Sequence, residues 1–179
     1  TKKKYADAID RAVFPGVQAG PLMHQIAAKA VCFQEAKSFG FKEYQKQIVL
    51  NAAALAETLN SEGFNLITGG TDNHLMLVDL TEMGLSGREA ADLLEEAGII
   101  VNFNSIPYDK KTPMVTSGIR PGTPAITTRG MKEEEMQVIG KMFSRVLKNP
   151  GDEKVRIAVA GEVGELCEQF PIYRDLMQW

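Results

Sequence analysis

Three groups in this chain have the residue type and setting to handle a small anionic or heterocyclic molecule. The first is Arg120, in the run Val115-Thr116-Ser117-Gly118-Ile119-Arg120-Pro121-Gly122-Thr123-Pro124. Strand alternation puts Val115, Ser117 and Ile119 on one face and Thr116, Gly118 and Arg120 on the other. The second face then carries one long cation beside a residue with no side chain, which leaves room for a molecule to lie against the strand. Pro121, Gly122 and Pro124 turn and stiffen the backbone that follows. A guanidinium on such a base suits a carboxylate gripped by two parallel hydrogen bonds; it also suits an ordinary surface ion pair. The second group is the backbone at Gly20, in the linker Val17-Gln18-Ala19-Gly20 ahead of Pro21 and a helix. Free N–H groups at a helix start attract phosphate. Pro21 lacks that donor, so Gly20 and the residues before it must supply the contact; a plain turn explains the same residues. The third is Asn104, whose amide offers the donor and acceptor that a heterocycle edge requires, and which equally fits a local turn.

Other reactive side chains give weaker signals. His24 falls in the first turn of a helix and reads as packing or capping. His74 has no second His or Cys at ligand spacing, so no metal site is expected. Cys32 and Cys167 are too few and too far apart for a disulfide framework or a zinc site, which fits a reducing compartment. The chain has 179 residues, 44% of them hydrophobic, and a net charge of -3, enough for one domain or one and a part. That charge gives no support to nucleic-acid binding, and Lys2-Lys3-Lys4 reads as the solvated start of a helix. No apolar run approaches the roughly 20 residues of a membrane span, and no signal peptide is visible. A cytoplasmic protein is the expectation. The chain has no starting Met and begins inside a helical pattern, so a fragment is expected.

Several elements must position these groups. Tyr5, Ile9 and Val13 predict a helix over residues 3–13, ended by Phe14-Pro15-Gly16. A second helix is expected from Leu22 to Lys37, with Pro21 as its first residue and Leu22, Ile26, Ala30 and Phe33 on one stripe. A third runs from Phe41 to Leu59 and buries Ile48, Ala52, Leu55 and Leu59, with Gly63 as its stop. Together the last two suggest a rod connecting domains. From Phe64 the texture changes, with strands over 64–68 and 74–80. Ser86 and Glu89 form a capping box for a helix that ends before Gly98. A strand over 99–101 leads into a loop over 102–113, a length uncommon between strands unless it binds something. Helices over 132–147 and 152–168 follow. The first carries acids at its start and bases at its end, as the macrodipole prefers; the second is weakened by Gly161 and Gly164.

Four stretches, taken together and in order, closely resemble serine hydroxymethyltransferase. They are Phe14-Pro15-Gly16-Val17-Gln18-Ala19-Gly20-Pro21-Leu22-Met23-His24, Gly70-Thr71-Asp72-Asn73-His74-Leu75, Asn102-Phe103-Asn104-Ser105-Ile106-Pro107, and Ser117-Gly118-Ile119-Arg120 through Thr128-Arg129-Gly130. The resemblance implies an α/β chain, the C-terminal part of a fold-type I pyridoxal-phosphate-dependent transferase. Residues 1–60 would be the end of the large domain with its connecting helices. Residues 61–179 would be a small α/β domain with a short, mainly antiparallel sheet. The implied activity interconverts serine and glycine with one-carbon transfer to tetrahydrofolate, in a homodimer or tetramer carrying pyridoxal 5'-phosphate.

Position by position, Arg120 matches the arginine that holds the amino-acid carboxylate. Gly20 matches a glycine whose N–H reaches the cofactor phosphate in the neighbouring subunit. Asn104 matches the asparagine on the pterin ring, and Thr112 and Met114 fall where the same loop borders the folate. Two departures stand out. Ala19-Gly20 replaces the family's Gly-Gly, which strains Ala19 if its φ must be positive. The Thr-His-Lys segment holding the Schiff-base lysine is absent, and Lys2, Lys3 and Lys4 do not match it. No catalytic residue is therefore assigned in this chain, and it is expected to be inactive alone. The alternatives are a non-catalytic folded fragment, or another fold-type I enzyme such as a threonine aldolase; the Asn102 to Pro107 loop favours the folate enzyme.

Overall fold

The computed structural model describes residues 2–173, so residues 174–179 of the expected small domain lie outside it. The chain divides into two compact units, Thr1–Lys42 and Glu43–Trp179, where the sequence pattern puts a domain boundary near residue 60.

In the first unit, a helix α1 spans Ala6–Arg11 and runs into a wide turn over Ala12–Val17. Phe14 is extended there (φ -131, ψ 123), so the helix ends at the Phe14-Pro15-Gly16 punctuation as expected. Helix α2 spans Met23–Ala36, with Leu22 as an extended N-cap (φ -80, ψ 105). Pro21 therefore stands one residue ahead of the cap and not at the first helical position. The first carbonyl to accept helical bonds is that of Leu22, from the Gln25 and Ile26 amides. Neither helix has a buried residue. The stripe of Leu22, Ile26 and Phe33 is exposed within this chain.

Helix α3 spans Phe39–Ser61. The Ser38 hydroxyl accepts from the Phe41 amide at 3.2 Å and caps its start. The stripe Ile48, Ala52, Leu55 and Leu59 is buried as expected. Gly63 (φ +84) turns the chain left-handed, and the Phe64 amide donates back to the Leu59 carbonyl, closing the helix end.

The sheet has four short strands: β1 (Asn65–Leu66), β2 (Val78–Asp79), β3 (Asn102–Asn104) and β4 (Gly118–Arg120). They lie in the order β1-β2-β4-β3, every neighbour antiparallel. Register aligns Leu66, Val78, Ile119 and Phe103 across the sheet. Leu66, Val78 and Ile119 are buried, so this row faces the core. The alternate rows carry Asn65, Asp79, Gly118 and Asn104, then Arg120 and Asn102, on the opposite face. The core is completed by helices α4 (Gly87–Glu96), α6 (Glu133–Lys148) and α7 (Glu153–Gln169), through Leu94, Met136, Phe143, Val146 and Val159. A mixed helical chain around a small antiparallel sheet is the α/β class expected.

All four strands differ from expectation. The strand over 64–68 is confined to Asn65–Leu66 and that over 74–80 to Val78–Asp79, with Leu75 in an isolated bridge to Gly122. The other two differ for identifiable reasons. The strand expected over 99–101 forms instead at 102–104. The Gly98 and Ile99 amides donate to the Glu95 and Leu94 carbonyls and are used in ending α4. The strand expected from Val115 is confined to 118–120. The Val115 and Thr116 amides both donate to the Thr112 carbonyl, and Thr116 has φ +57, which breaks the alternation. A short helix α5 (Pro124–Thr128) follows β4 and was not signalled by periodicity. No described helix is long and apolar enough to cross a membrane.

Candidate functional site

Arg120 ends the inner strand β4, and the backbone on both sides of it is pinned. The Leu80 amide donates to Ser117 at 2.9 Å, the Met76 amide to Pro121 at 3.1 Å, and the Thr123 amide to His74 at 3.0 Å. Ile119, fully buried, anchors the strand from the core side. The Arg120 side chain is exposed, and among the described residues no ion pair or hydrogen bond engages its guanidinium. It lines an open cleft of about 420 Å³ with His74, Leu75, Asn102 and Pro124. Asn102 is its direct cross-strand partner. An unpaired guanidinium on a pinned strand, bordered by Asn102 and His74, is suited to an anion, and to a carboxylate above all.

The space beside Arg120 differs from the sequence reading. Gly118 does not leave a vacant surface. A Cβ there would lie 2.7 Å from the Ile106 methyl, 2.8 Å from the Val78 carbonyl oxygen and 3.1 Å from that of Asn104. The glycine admits the neighbouring strands and Ile106; the open space is at the strand end, over Asn102 and His74. Gly87, the first residue of α4, packs against the same strand, where a Cβ would meet the Gly118 carbonyl and the Thr116 hydroxyl. The Ser86 capping box sets that helix start: the Ser86 hydroxyl accepts from the Glu89 amide at 3.1 Å, and the Glu89 carboxylate accepts from the Ser86 amide at 2.9 Å. The Ser86 hydroxyl also donates to the Glu89 carboxylate at 2.6 Å, and this bond, ahead of the one from the Ser86 amide, holds the Glu89 carboxyl below its ordinary pKa.

Asn104 lies at the end of β3 and not inside a loop, opposite Gly118. It shares a sheet face with Arg120, on the diagonal, where α-carbons sit roughly 7–8 Å apart. Its Nδ2 donates to the Ser105 carbonyl at 2.8 Å, which uses one of its two N–H groups and leaves the other and Oδ1 open. Thr112 and Met114 are exposed on the turn before β4. Thr112 makes that turn through its carbonyl.

Asp109, which sequence reasoning passed over, ties the loop together. Its Oδ1 accepts from the Ser117 hydroxyl at 2.7 Å and the Lys111 amide at 2.9 Å. Its Oδ2 accepts from the Ser117 amide at 2.9 Å and the Ile106 amide at 3.2 Å. The Ser117 hydroxyl leads these donors in holding the carboxyl down to about 2. Asn102 and His74 were likewise not assigned to the Arg120 cleft; the Asn-x-Asn alternation was the available signal for Asn102.

Gly20, in the first unit, is exposed, and among the described residues no hydrogen bond uses its amide. A Cβ there would meet nothing within 4 Å. Ala19 is not among the residues with positive φ, so the strain expected from replacing glycine there does not arise. The backbone before α2 therefore offers an accessible donor that fits a phosphate oxygen. His24 is exposed in the first turn of α2. Cys32 and Cys167 are both free thiols. Among the described residues, no three His, Cys, Asp or Glu side chains gather as a metal site would require.

A family model described as serine hydroxymethyltransferase matches residues 1–143. The match includes Gly20, Asn104, Thr112, Met114 and Arg120, and ends within α6.

Proposed function

The chain belongs to the serine hydroxymethyltransferase family, a family of pyridoxal-phosphate-dependent transferases of one-carbon metabolism, and on that premise we propose that it serves the interconversion of serine and glycine with tetrahydrofolate as one-carbon carrier. Arg120 grips the carboxylate of the amino acid. Asn104 meets the pterin ring through its Oδ1 and its remaining N–H, with Thr112 and Met114 bordering the folate. The Gly20 amide donates to the cofactor phosphate of a neighbouring subunit, which makes the working assembly a homodimer or tetramer. Its place is the cytoplasm.

Pyridoxal phosphate, when bound, supplies the electron sink for breaking a bond at the substrate α-carbon. The residues of this chain contribute binding and orientation. A carboxylate held at two points by one planar fork gives the α-carbon one fixed anchor, and with the amino group held at the cofactor as a second, rotation would stop and the Cα–Cβ bond would be presented in one direction only. Asn102 and His74 border the same cleft and limit what lies beside that carboxylate. No Thr-His-Lys segment occurs in these residues, so the chain on its own is inactive under this reading.

The observation that supports this most is an unpaired guanidinium on a pinned strand, facing a cleft. In the complete enzyme, Arg120→Ala should remove a charge-assisted contact of about 1.5–3 kcal/mol, or roughly 10- to 150-fold in serine affinity. A serine KM equal to that of the parent enzyme would rule the role out. A rate indifferent to tetrahydrofolate would instead favour an aldolase.

A further inference from the structure

We infer that Asp109 is a positioning residue that clamps the folate-side loop onto the strand of Arg120, so that the two substrate subsites keep one fixed spacing; this rests on the assignment of Arg120 and Asn104 proposed above. Four donors converge on its carboxylate, and they come from both sides of the loop. Ile106 lies two residues after Asn104, and Lys111 lies one residue before Thr112. Ser117, which gives both its amide and its hydroxyl, lies three residues before Arg120. The side chain of Ile106 packs over Gly118 from the same loop, and the Lys111 ammonium donates to the Leu85 carbonyl at 3.2 Å.

Elsewhere the loop is held at its far end, where the Gly87 and Arg88 amides of α4 donate to the Thr116 and Val115 carbonyls at 3.1 and 3.0 Å. Among the described residues, only Asp109 joins that end to the segment after Asn104 through side-chain hydrogen bonds. Tyr108, Met114 and the neighbouring lysines are exposed, and β3 and β4 share only three residue pairs. Ser117 is the residue where the clamp becomes mechanical. Its carbonyl accepts from the amide of Leu80, just past β2, while its N–H and O–H are both held by Asp109. Loss of Asp109 therefore frees the N–H and O–H of Ser117, three residues before the guanidinium, leaving its carbonyl as the one group still held there, and frees the Ile106 amide two residues after Asn104. A carboxylate suits this task because its two oxygens accept four bonds at once.

The test uses the complete, cofactor-loaded enzyme, with serine and tetrahydrofolate varied in turn. Asp109→Ala should raise the KM for serine and the KM for tetrahydrofolate together, each about tenfold, the scale of one lost hydrogen bond, with kcat nearly unchanged. A role confined to stability would reduce the active fraction, lowering kcat and leaving both KM values alone. Ser117→Ala removes only the 2.7 Å bond and decides the matter where Asp109→Ala does not fold. It should show the same paired rise, smaller at about threefold, since the Ser117, Lys111 and Ile106 amides still hold the carboxylate. Unchanged KM values in the folded variants, or a rise in one substrate only, overturn the clamp. Arg120→Ala runs alongside as the control. If it leaves serine KM unchanged, the substrate assignment fails and the clamp with it. If it raises serine KM while Asp109→Ala does not, the clamp alone fails.

Discussion

Replacing Gly118 with Ala introduces the smallest possible side chain at the tightest point of the sheet. Ordinary carbon contacts lie near 3.5–4.0 Å. The new methyl would sit 2.7 Å from the Ile106 Cγ2, 2.8 Å from the Val78 oxygen and 3.1 Å from the Asn104 oxygen. Ile106 is a half-buried side chain on a loop, and it yields more readily than backbone. The two carbonyls belong to β2 and β3, which pair with β4 on either side, and they yield only if the strands part. Overpacking of this kind costs about 1–3 kcal/mol. In a chain of this length that lowers Tm by roughly 2–4 °C per kcal/mol. Urea unfolding should show a lower midpoint with an unchanged slope. Adding Ile106→Ala should recover only a minor share of the loss, since the carbonyls remain. Gly161→Ala is the matched control: it is exposed in α7 with nothing within 4 Å, and should stabilise by about 0.5–1 kcal/mol through helix propensity alone. If Gly118→Ala is as stable as the parent chain, the account of how β4 is packed is wrong.

Two further predictions address buried polar contacts and acid stability. Asn51 is fully buried, donates to the Thr127 hydroxyl at 2.8 Å and the Met131 carbonyl at 2.9 Å, and accepts from Gln47 at 2.9 Å. Asn51→Leu strands the Met131 carbonyl and should cost about 1–3 kcal/mol, read as a lower urea midpoint; a neutral result would mean that water or rearrangement replaces the contact. Asp109 is held down to about 2 from its ordinary 3.8. Its contribution is therefore fully present above the unfolded value and is lost as pH falls through the folded one. The stability gap between the parent chain and Asp109→Asn should be constant above about pH 5 and close between pH 4 and 2. A gap that persists at pH 2 would show that the charge is not what Ser117 and the loop amides recognise.

What the sequence made legible was local. The Ser86 capping box, the buried stripe of α3 and the acidic start of α6 are each written within a few residues, and the structure shows them where the pattern places them. The guanidinium was legible only as a long cation before a Pro-Gly turn, open to an ion pair as much as to a ligand; among the described residues it has no ion pair, and the space expected beside Gly118 is filled. The strand boundaries were not legible. β3 begins three residues late because the Ile99 amide is taken by the end of α4, a competition that alternation does not express. Thr116 at φ +57 runs against the preference of a β-branched residue, so the shortening of β4 carried no local signal. Asp109 was missed because two of its donors come from a residue eight positions away. The apolar stripe of α2 was legible as a pattern, yet no residue of that helix is buried within this chain. Periodicity shows that a face is apolar and is silent on what covers it.

The most direct test of the central claim compares serine with serinamide, which keeps the amine and hydroxyl and lacks the carboxylate. Equilibrium titration into the complete enzyme should show a strong preference for serine, and Arg120→Ala should abolish that preference by weakening serine alone. Equal discrimination in the parent enzyme and the variant would mean that some other group reads the carboxylate.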